Sequence, residues 1–143
     1  MAILNTYLNF QGNAEEAFNF YKSVFGGEFS AIIRFKDMPA AGKVAPGEED
    51  KLMHVALPVG NGNTLMATDL LESHGHTLKT GNNYTISLSP ASMDEANHFF
   101  NGLSAGGKVM VPLKKEMWGA YFGMFFDKFG VQWMVNYDER QPQ

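Results

Sequence analysis

The spacing of apolar residues in the first half of the chain predicts a strand, a helix and three further strands. Apolar side chains recur at helical spacing from residue 14 to residue 25, and Asn13 with Glu16 has the spacing of a capping box. Gly26-Gly27 predicts the end of this helix. Alternating or apolar runs flanked by turn residues predict strands at 2–10, 28–35, 51–59 and 63–70, the last two joined at Gly60-Asn61-Gly62. Residues 36–50, rich in Pro, Gly and charge, predict a long loop.

The second half shows the same order of patterns. Ser92 and Glu95 form a second capping-box pair, and Gly106-Gly107 predicts the end of the helix that follows. Strands are predicted at residues 83–89, 108–112, 119–126 and 131–137, and a frayed tail from 138 to 143.

The two halves are also alike residue by residue, which indicates an internal duplication. Glu15-Glu16-Ala17 matches Asp94-Glu95-Ala96, and Gly62–Met66 matches Gly130–Met134. Since a duplicated unit decides the architecture, we predict an α+β fold of two βαβββ modules, residues 1–80 and 81–143. No long linker separates them, so we expect one domain covering residues 1–143, with the ligand site in the cleft between the modules.

Composition narrows the possible functions. The chain has 143 residues, a net charge of −4, 18% charged and 13% aromatic residues, and no cysteine. The negative charge argues against nonspecific nucleic-acid binding, which needs basic patches. The lack of cysteine excludes disulfides and thiolate metal sites. Neither a signal peptide nor an apolar run of membrane-spanning length is evident, so we expect a cytoplasmic protein that does not enter a membrane.

A set of motifs spans the chain: Tyr7–Asn13 with Ala17 and Tyr21, Phe35–Pro39, His54, Met66–Asp69, and Trp118, Gly123 and Asp127–Trp133. With the two βαβββ modules, these motifs resemble the vicinal-oxygen-chelate superfamily of glyoxalases, bleomycin-resistance proteins and dioxygenases, and within it the PhnB-like proteins. The resemblance implies a glyoxalase/bleomycin-resistance-type fold with a cleft between curved mixed sheets, and a homodimer. The methyltransferase label often attached to such proteins has no support here, because a glycine-rich nucleoside-binding loop is missing from the sequence.

The resemblance also implies where a metal would be held, on the first and last strands of each module. Those positions fall on Asn5, Met66, Thr85 and Met134. A divalent ion needs carboxylate or imidazole ligands, and thioethers suit only Cu(I). We therefore predict no metal and no cofactor. A divalent-metal lyase or dioxygenase remains the alternative if these positions are misassigned.

A second alternative is a metal-independent enzyme. His54 interrupts an apolar strand, and the sequence leaves open whether it faces solvent or the cleft. Asp69 ends the neighbouring strand and would raise the pKa of His54 if the two were hydrogen-bonded. His54 and Asp69 are thus the catalytic candidates for proton transfer.

Our leading hypothesis is a metal-free protein that binds a small molecule in the cleft. An aromatic and methionine-rich lining with a few hydroxyls and amides suits a mostly apolar ligand. The predicted ligand-binding residues are Asn5, Tyr7, Met66, Thr85, Ser87, Trp118 and Met134. A third hypothesis is an inert homologue whose cleft is filled by its own side chains. Trp133 is next to Met134 and therefore on the opposite strand face, so we expect it in the core.

Overall fold

A computed structural model of the chain describes residues 2–38 and 44–140. Of the residues named above, Pro39 and the end of the predicted tail (residues 141–143) lie outside the described part, as do residues 40–43 of the predicted loop. The chain divides into two compact units, with the boundary between Lys79 and Thr80. Each unit is described by itself below.

Module one contains a four-stranded mixed sheet and a helix. The elements are β1 (Thr6–Phe10), α1 (Ala14–Phe25), β2 (Ala31–Arg34), β3 (Leu52–Gly60) and β4 (Asn63–Asp69). The sheet order is β1-β4-β3-β2, with β1 and β4 parallel and the other neighbours antiparallel. Short 3-10 helices lie at Phe35–Asp37, within the predicted strand end and loop, and at Glu72–His74.

Module two repeats this topology, which confirms the predicted α+β fold of two βαβββ modules. Its elements are β5 (Ile86–Leu88), α2 (Met93–Ser104), β6 (Lys108–Lys115), β7 (Tyr121–Phe126) and β8 (Gln132–Tyr137). The sheet order is β5-β8-β7-β6, and again the first pair is parallel. In the described part of the chain, no helix is long and apolar enough to cross a membrane.

Each helix packs its apolar stripe on one face of its own sheet. In module one the ring of Phe18 lies 6.2 Å from that of Phe10, so Phe10 and the strand residues on its side face α1. In module two the rings of Phe100 and Phe125 are 5.1 Å apart. A Cβ at Gly123 would collide with Phe100, so this glycine allows the close approach of α2. Trp133 is 1% exposed, which confirms its predicted place in the core.

The hairpin between β3 and β4 forms as the sequence predicts. Asn61 and Gly62 have φ angles of 53° and 78°, the left-handed pair that a two-residue hairpin turn requires. Most predicted strands are shortened at their ends, and β6 instead continues three residues beyond the predicted Pro112 to Lys115.

The Ser92 cap of α2 forms as predicted, but Glu95 bonds the amide of Ala91 instead of the Ser92 amide that a capping box requires, and the predicted Asn13 cap of α1 does not form. Ser92 Oγ accepts a hydrogen bond from the Glu95 amide at 3.1 Å, and Glu95 Oε1 accepts from the Ala91 amide. Asn13 makes no side-chain cap for α1. A buried carboxylate from β4 caps that helix instead, as the next section shows.

Candidate functional site

The sheet face of module one that points away from α1 holds most of that module's predicted ligand residues. Phe10 faces α1 and is paired with Asp69, so alternate residues of the two strands face the other way. This surface, here called the distal face of module one, is formed by Tyr7, His54, Met66 and Thr68. Tyr7 is paired directly with Met66, and Met66 with Ala56 on β3.

His54 and Tyr7 are in contact on this distal face. Their rings are stacked, with centroids 5.9 Å apart and an interplanar angle of 27°. His54 is the more buried of the two, and Tyr7 is exposed, with 48% of its surface accessible. Asn5 is exposed and immediately precedes β1, two residues from Tyr7. His54 therefore faces away from α1 and stacks on Tyr7. Its position in the cleft stays a prediction.

The proposed catalytic pair of His54 and Asp69 is not formed. Asp69 is 3% exposed and lies on the α1 side of the sheet, opposite to His54. Its Oδ1 accepts hydrogen bonds from the amides of Gly12 and Ala14 at 2.9 and 3.0 Å, and its Oδ2 accepts from the amide of Leu52 at 2.8 Å. The carboxylate is committed to the backbone at the start of α1 and β3. Asp69 is a structural residue, and the acid–base hypothesis loses its second member.

Module two has a corresponding distal face. Gly123 and Phe125 face α2, so Met124 between them faces the other way, together with its strand partner Met134. Ser87 is paired with Met134. The distal face of module two is formed by Ser87, Met124, Gln132 and Met134. Met124 and Met134 are half-buried, and Ser87 is exposed.

The other two predicted residues of module two lie at the ends of strands. Thr85 is half-buried and immediately precedes β5. Trp118 lies between β6 and β7, is 57% exposed, and its ring centroid is 6.2 Å from that of Phe122. The carbonyl of Trp118 accepts a hydrogen bond from Arg140 Nη2 at 2.9 Å. Since Phe122 alternates with Gly123, the Trp118–Phe122 pair lies toward the distal side of the sheet.

The two distal faces are equivalent positions of the duplication. Tyr7 pairs with Met66 in one parallel strand pair, and Ser87 pairs with Met134 in the other. The similarity of Gly62–Met66 to Gly130–Met134 predicts that Met66 and Met134 are equivalent, and the strand register supports this equivalence. The predicted cleft between the modules stays a prediction.

The donors at the four predicted metal positions do not fit the divalent metal that the family resemblance implies. At the predicted metal positions, module one offers an amide and a thioether (Asn5, Met66), and module two offers a hydroxyl and a thioether (Thr85, Met134). Across residues 2–38 and 44–140, no group of three or more His, Cys, Asp or Glu side chains is placed to hold a metal ion. We therefore derive no step through a metal.

Sequence reasoning missed Gln132 on the distal face of module two. It is 7% exposed, and its Nε2 lies 3.1 Å from Met124 Sδ. The strand pattern placed it beside Trp133 and Met134 without indicating that this amide is buried. The signal that could have found it is parity: residues 132 and 134 share a strand face, and Met134 was already a candidate.

Known proteins with similar sequences and structures cover nearly the whole chain. The protein PA1353 from Pseudomonas aeruginosa is 40% identical, with a TM-score of 0.85 over 96% of this chain and 98% of its own. The PhnB protein from Bacillus cereus is 28% identical, with a TM-score of 0.76 over 95% and 99% of the two chains. Protein YjdN from Escherichia coli strain K12 is 29% identical over 97% of each chain.

The matching family model covers residues 3–135 and describes the glyoxalase/bleomycin resistance protein/dioxygenase superfamily. This match includes both modules, with all eight strands except the last two residues of β8. The likeness to the PhnB protein agrees with the motifs quoted from the sequence. The chain belongs to the glyoxalase/bleomycin resistance protein/dioxygenase superfamily.

Proposed function

We propose that this protein binds a small, mostly apolar molecule without a divalent metal. The observation that carries the proposal is the composition of the two distal faces. At equivalent register positions each face has a half-buried methionine, Met66 or Met134, beside a hydroxyl-bearing residue, Tyr7 or Ser87. Methionine packs adaptably against irregular apolar ligands, and a few hydroxyl and amide groups suffice to orient them.

The metal-free part of the proposal rests on ligand chemistry. An amide, a hydroxyl and two thioethers lack the anionic oxygen or imidazole that divalent ions require. Proton transfer by His54 and Asp69 is not part of the proposal, because Asp69 is held by three backbone amides on the opposite face. Binding is therefore the function that these residues support best.

A thermal-shift screen of small metabolites, with and without added Zn²⁺, Ni²⁺, Mn²⁺ or Fe²⁺, tests the proposal. A compound that binds only the folded state raises the melting temperature. We expect at least one apolar compound to do so and none of the metal ions to do so. Elemental analysis that finds about one retained equivalent of metal per chain would contradict the metal-free assignment.

Bulky substitutions just before β1 and β5, beside the distal faces, then locate the site. The Asn5→Phe and Thr85→Trp variants are expected to fold but no longer to bind the compound found in the screen. Glu28→Trp is the matched control, because the Glu28 side chain is 87% exposed in the loop after α1. If Thr85→Trp lowers the melting temperature as much as Trp133→Ala, position 85 is packed core and the inert-homologue hypothesis is favoured.

We also propose that the protein is a homodimer, which follows from the superfamily resemblance. Large apolar side chains that are exposed in the single chain, such as Leu4 at 96% and Met117 at 96%, are compatible with a covering subunit. Light scattering at micromolar concentration should give about twice the chain mass of 15.9 kDa. A mass equal to that of one chain would contradict the dimer.

A further inference from the structure

Gln132 carries a buried polar atom for which the fold supplies no partner. Its side-chain oxygen Oε1 is fully buried and accepts no hydrogen bond from any residue in the described part of the chain. Its Nε2 is 3.1 Å from the thioether of Met124, and a thioether is a weak acceptor. A buried carbonyl oxygen without a donor destabilises the folded state, so an amide at this position needs a reason other than packing.

The position of this amide suggests what the reason is. Gln132 and Met134 are two residues apart on β8 and therefore share a strand face, so both point away from α2. The parallel pairing of Ile86 with Trp133 places Thr85 beside Gln132 at the end of β5. The amide thus lies on the distal face among Met124, Met134 and Phe126, the strand partner of Gln132.

We propose that Gln132 is the residue that orients the ligand, by accepting a hydrogen bond at Oε1 from an O–H or N–H group. This inference rests on the proposed binding function and adds the class of ligand: an uncharged, mostly apolar molecule with a hydrogen-bond donor. A carboxylate would bring its own negative oxygens against this carbonyl oxygen in a largely apolar setting, which is unfavourable. The thioethers and aromatic ring beside it favour a flat apolar body.

The test compares 2-naphthol with 2-methoxynaphthalene, in which a methyl group replaces the donor hydrogen, by calorimetry or NMR titration. The wild-type protein should bind 2-naphthol about fivefold to tenfold more tightly, the factor expected of one hydrogen bond. Gln132→Leu should remove this preference, with both probes binding equally. Asn136→Leu, which removes an amide from the same strand and the same side of the sheet, is the matched control and should keep the preference.

The folding of the variant provides a second readout. Gln132→Leu replaces an unsatisfied buried amide by an apolar side chain of similar size, a change that is neutral or stabilising. Its melting temperature should be at least that of the wild type, and higher by about 2–4 °C if the substitution is stabilising. A variant that is more stable and has lost donor preference is the result we expect.

Three outcomes overturn the inference, and they are distinguishable. If the wild type binds both probes equally, or if Gln132→Leu keeps the preference for 2-naphthol, Gln132 does not orient the ligand. If Oε1 binds a single water molecule and no ligand, Gln132→Leu keeps the preference for 2-naphthol and changes only the stability of the protein. If the wild type binds neither probe, both this inference and the proposed binding function fail on this face.

Discussion

The two modules share a topology, yet each uses a buried aspartate in a different way. In module one, Asp69 at the end of β4 accepts hydrogen bonds from the backbone of Gly12, Ala14 and Leu52. In module two, Asp127 follows β7 and accepts from the amides of Phe129 and Val131 and from the indole N–H of Trp133. The first carboxylate joins three distant segments, whereas the second organises one turn and anchors one core ring.

The starts of the two helices show the same contrast between remote and local partners. Ser92 caps α2 by accepting a hydrogen bond from the amide of Glu95, only three residues further along the chain. The start of α2 is therefore stabilised by the adjacent sequence. The α1 helix depends on a carboxylate 55 residues away. A duplicated unit can therefore keep its topology while the interactions that hold its helix change from remote to local.

The largest expected effect is at the core anchor of module two. Trp133→Ala removes a buried ring and the indole donor to Asp127, and should lower the free energy of unfolding by about 3–5 kcal/mol. Trp133→Phe keeps an aromatic ring and should cost less. Urea denaturation measures both. Equal losses would mean that the hydrogen bond to Asp127, rather than the ring, holds this part of module two together.

The next largest effect is at the carboxylate of module one. Asp69→Ala leaves the buried amides of Ala14 and Leu52 without their acceptor, and at about 1–3 kcal/mol for each such group we expect a loss of roughly 3 kcal/mol. Asp69→Asn should cost less, because its oxygen can still accept from Gly12 and Ala14. Denaturation of both variants checks this. A loss below about 1 kcal/mol for Asp69→Ala would show that the three hydrogen bonds do not hold module one together.

The smallest effects separate the two helix caps. Ser92→Ala should destabilise the protein by about 1 kcal/mol, the usual cost of removing a side-chain cap. Asn13→Ala should change stability by only about a few tenths of a kcal/mol, since Asn13 makes no cap hydrogen bond. Equal losses from the two substitutions would remove the contrast between local and remote capping.

The sequence was sufficient to predict the repeated fold because that information is local and periodic. Helical spacing from residue 14 to 25 and alternation within the strands define the elements, and the echo between Met66 and Met134 agrees with the strand register. The hairpin at Asn61-Gly62 follows from the left-handed preference of its two residues.

The parts that sequence reasoning missed depend on distant partners. The local rule for Asn13 and Glu16 predicts a capping box, but Asn13 makes no side-chain cap. The carboxylate of Asp69, 55 residues beyond Ala14, accepts a hydrogen bond from the Ala14 amide at the helix start. The predicted pair of His54 and Asp69, on the adjacent strands β3 and β4, does not form because the strand register places the two residues on opposite faces. The burial of Gln132 likewise depends on side chains from neighbouring strands.

The hydrogen bonds of Asp69 also bear on the order in which the chain folds. The start of α1 receives its acceptor only when β4, the last strand of its module, has reached its place beside β1. By contrast, α2 can complete its first turn as soon as Ser92 and Glu95 are free to meet. Because contacts between distant residues form against a larger loss of chain entropy, the first turn of α2 should be structured early and that of α1 late. The same difference implies faster amide hydrogen exchange at Ala14 than at Glu95 in any state where β4 has detached.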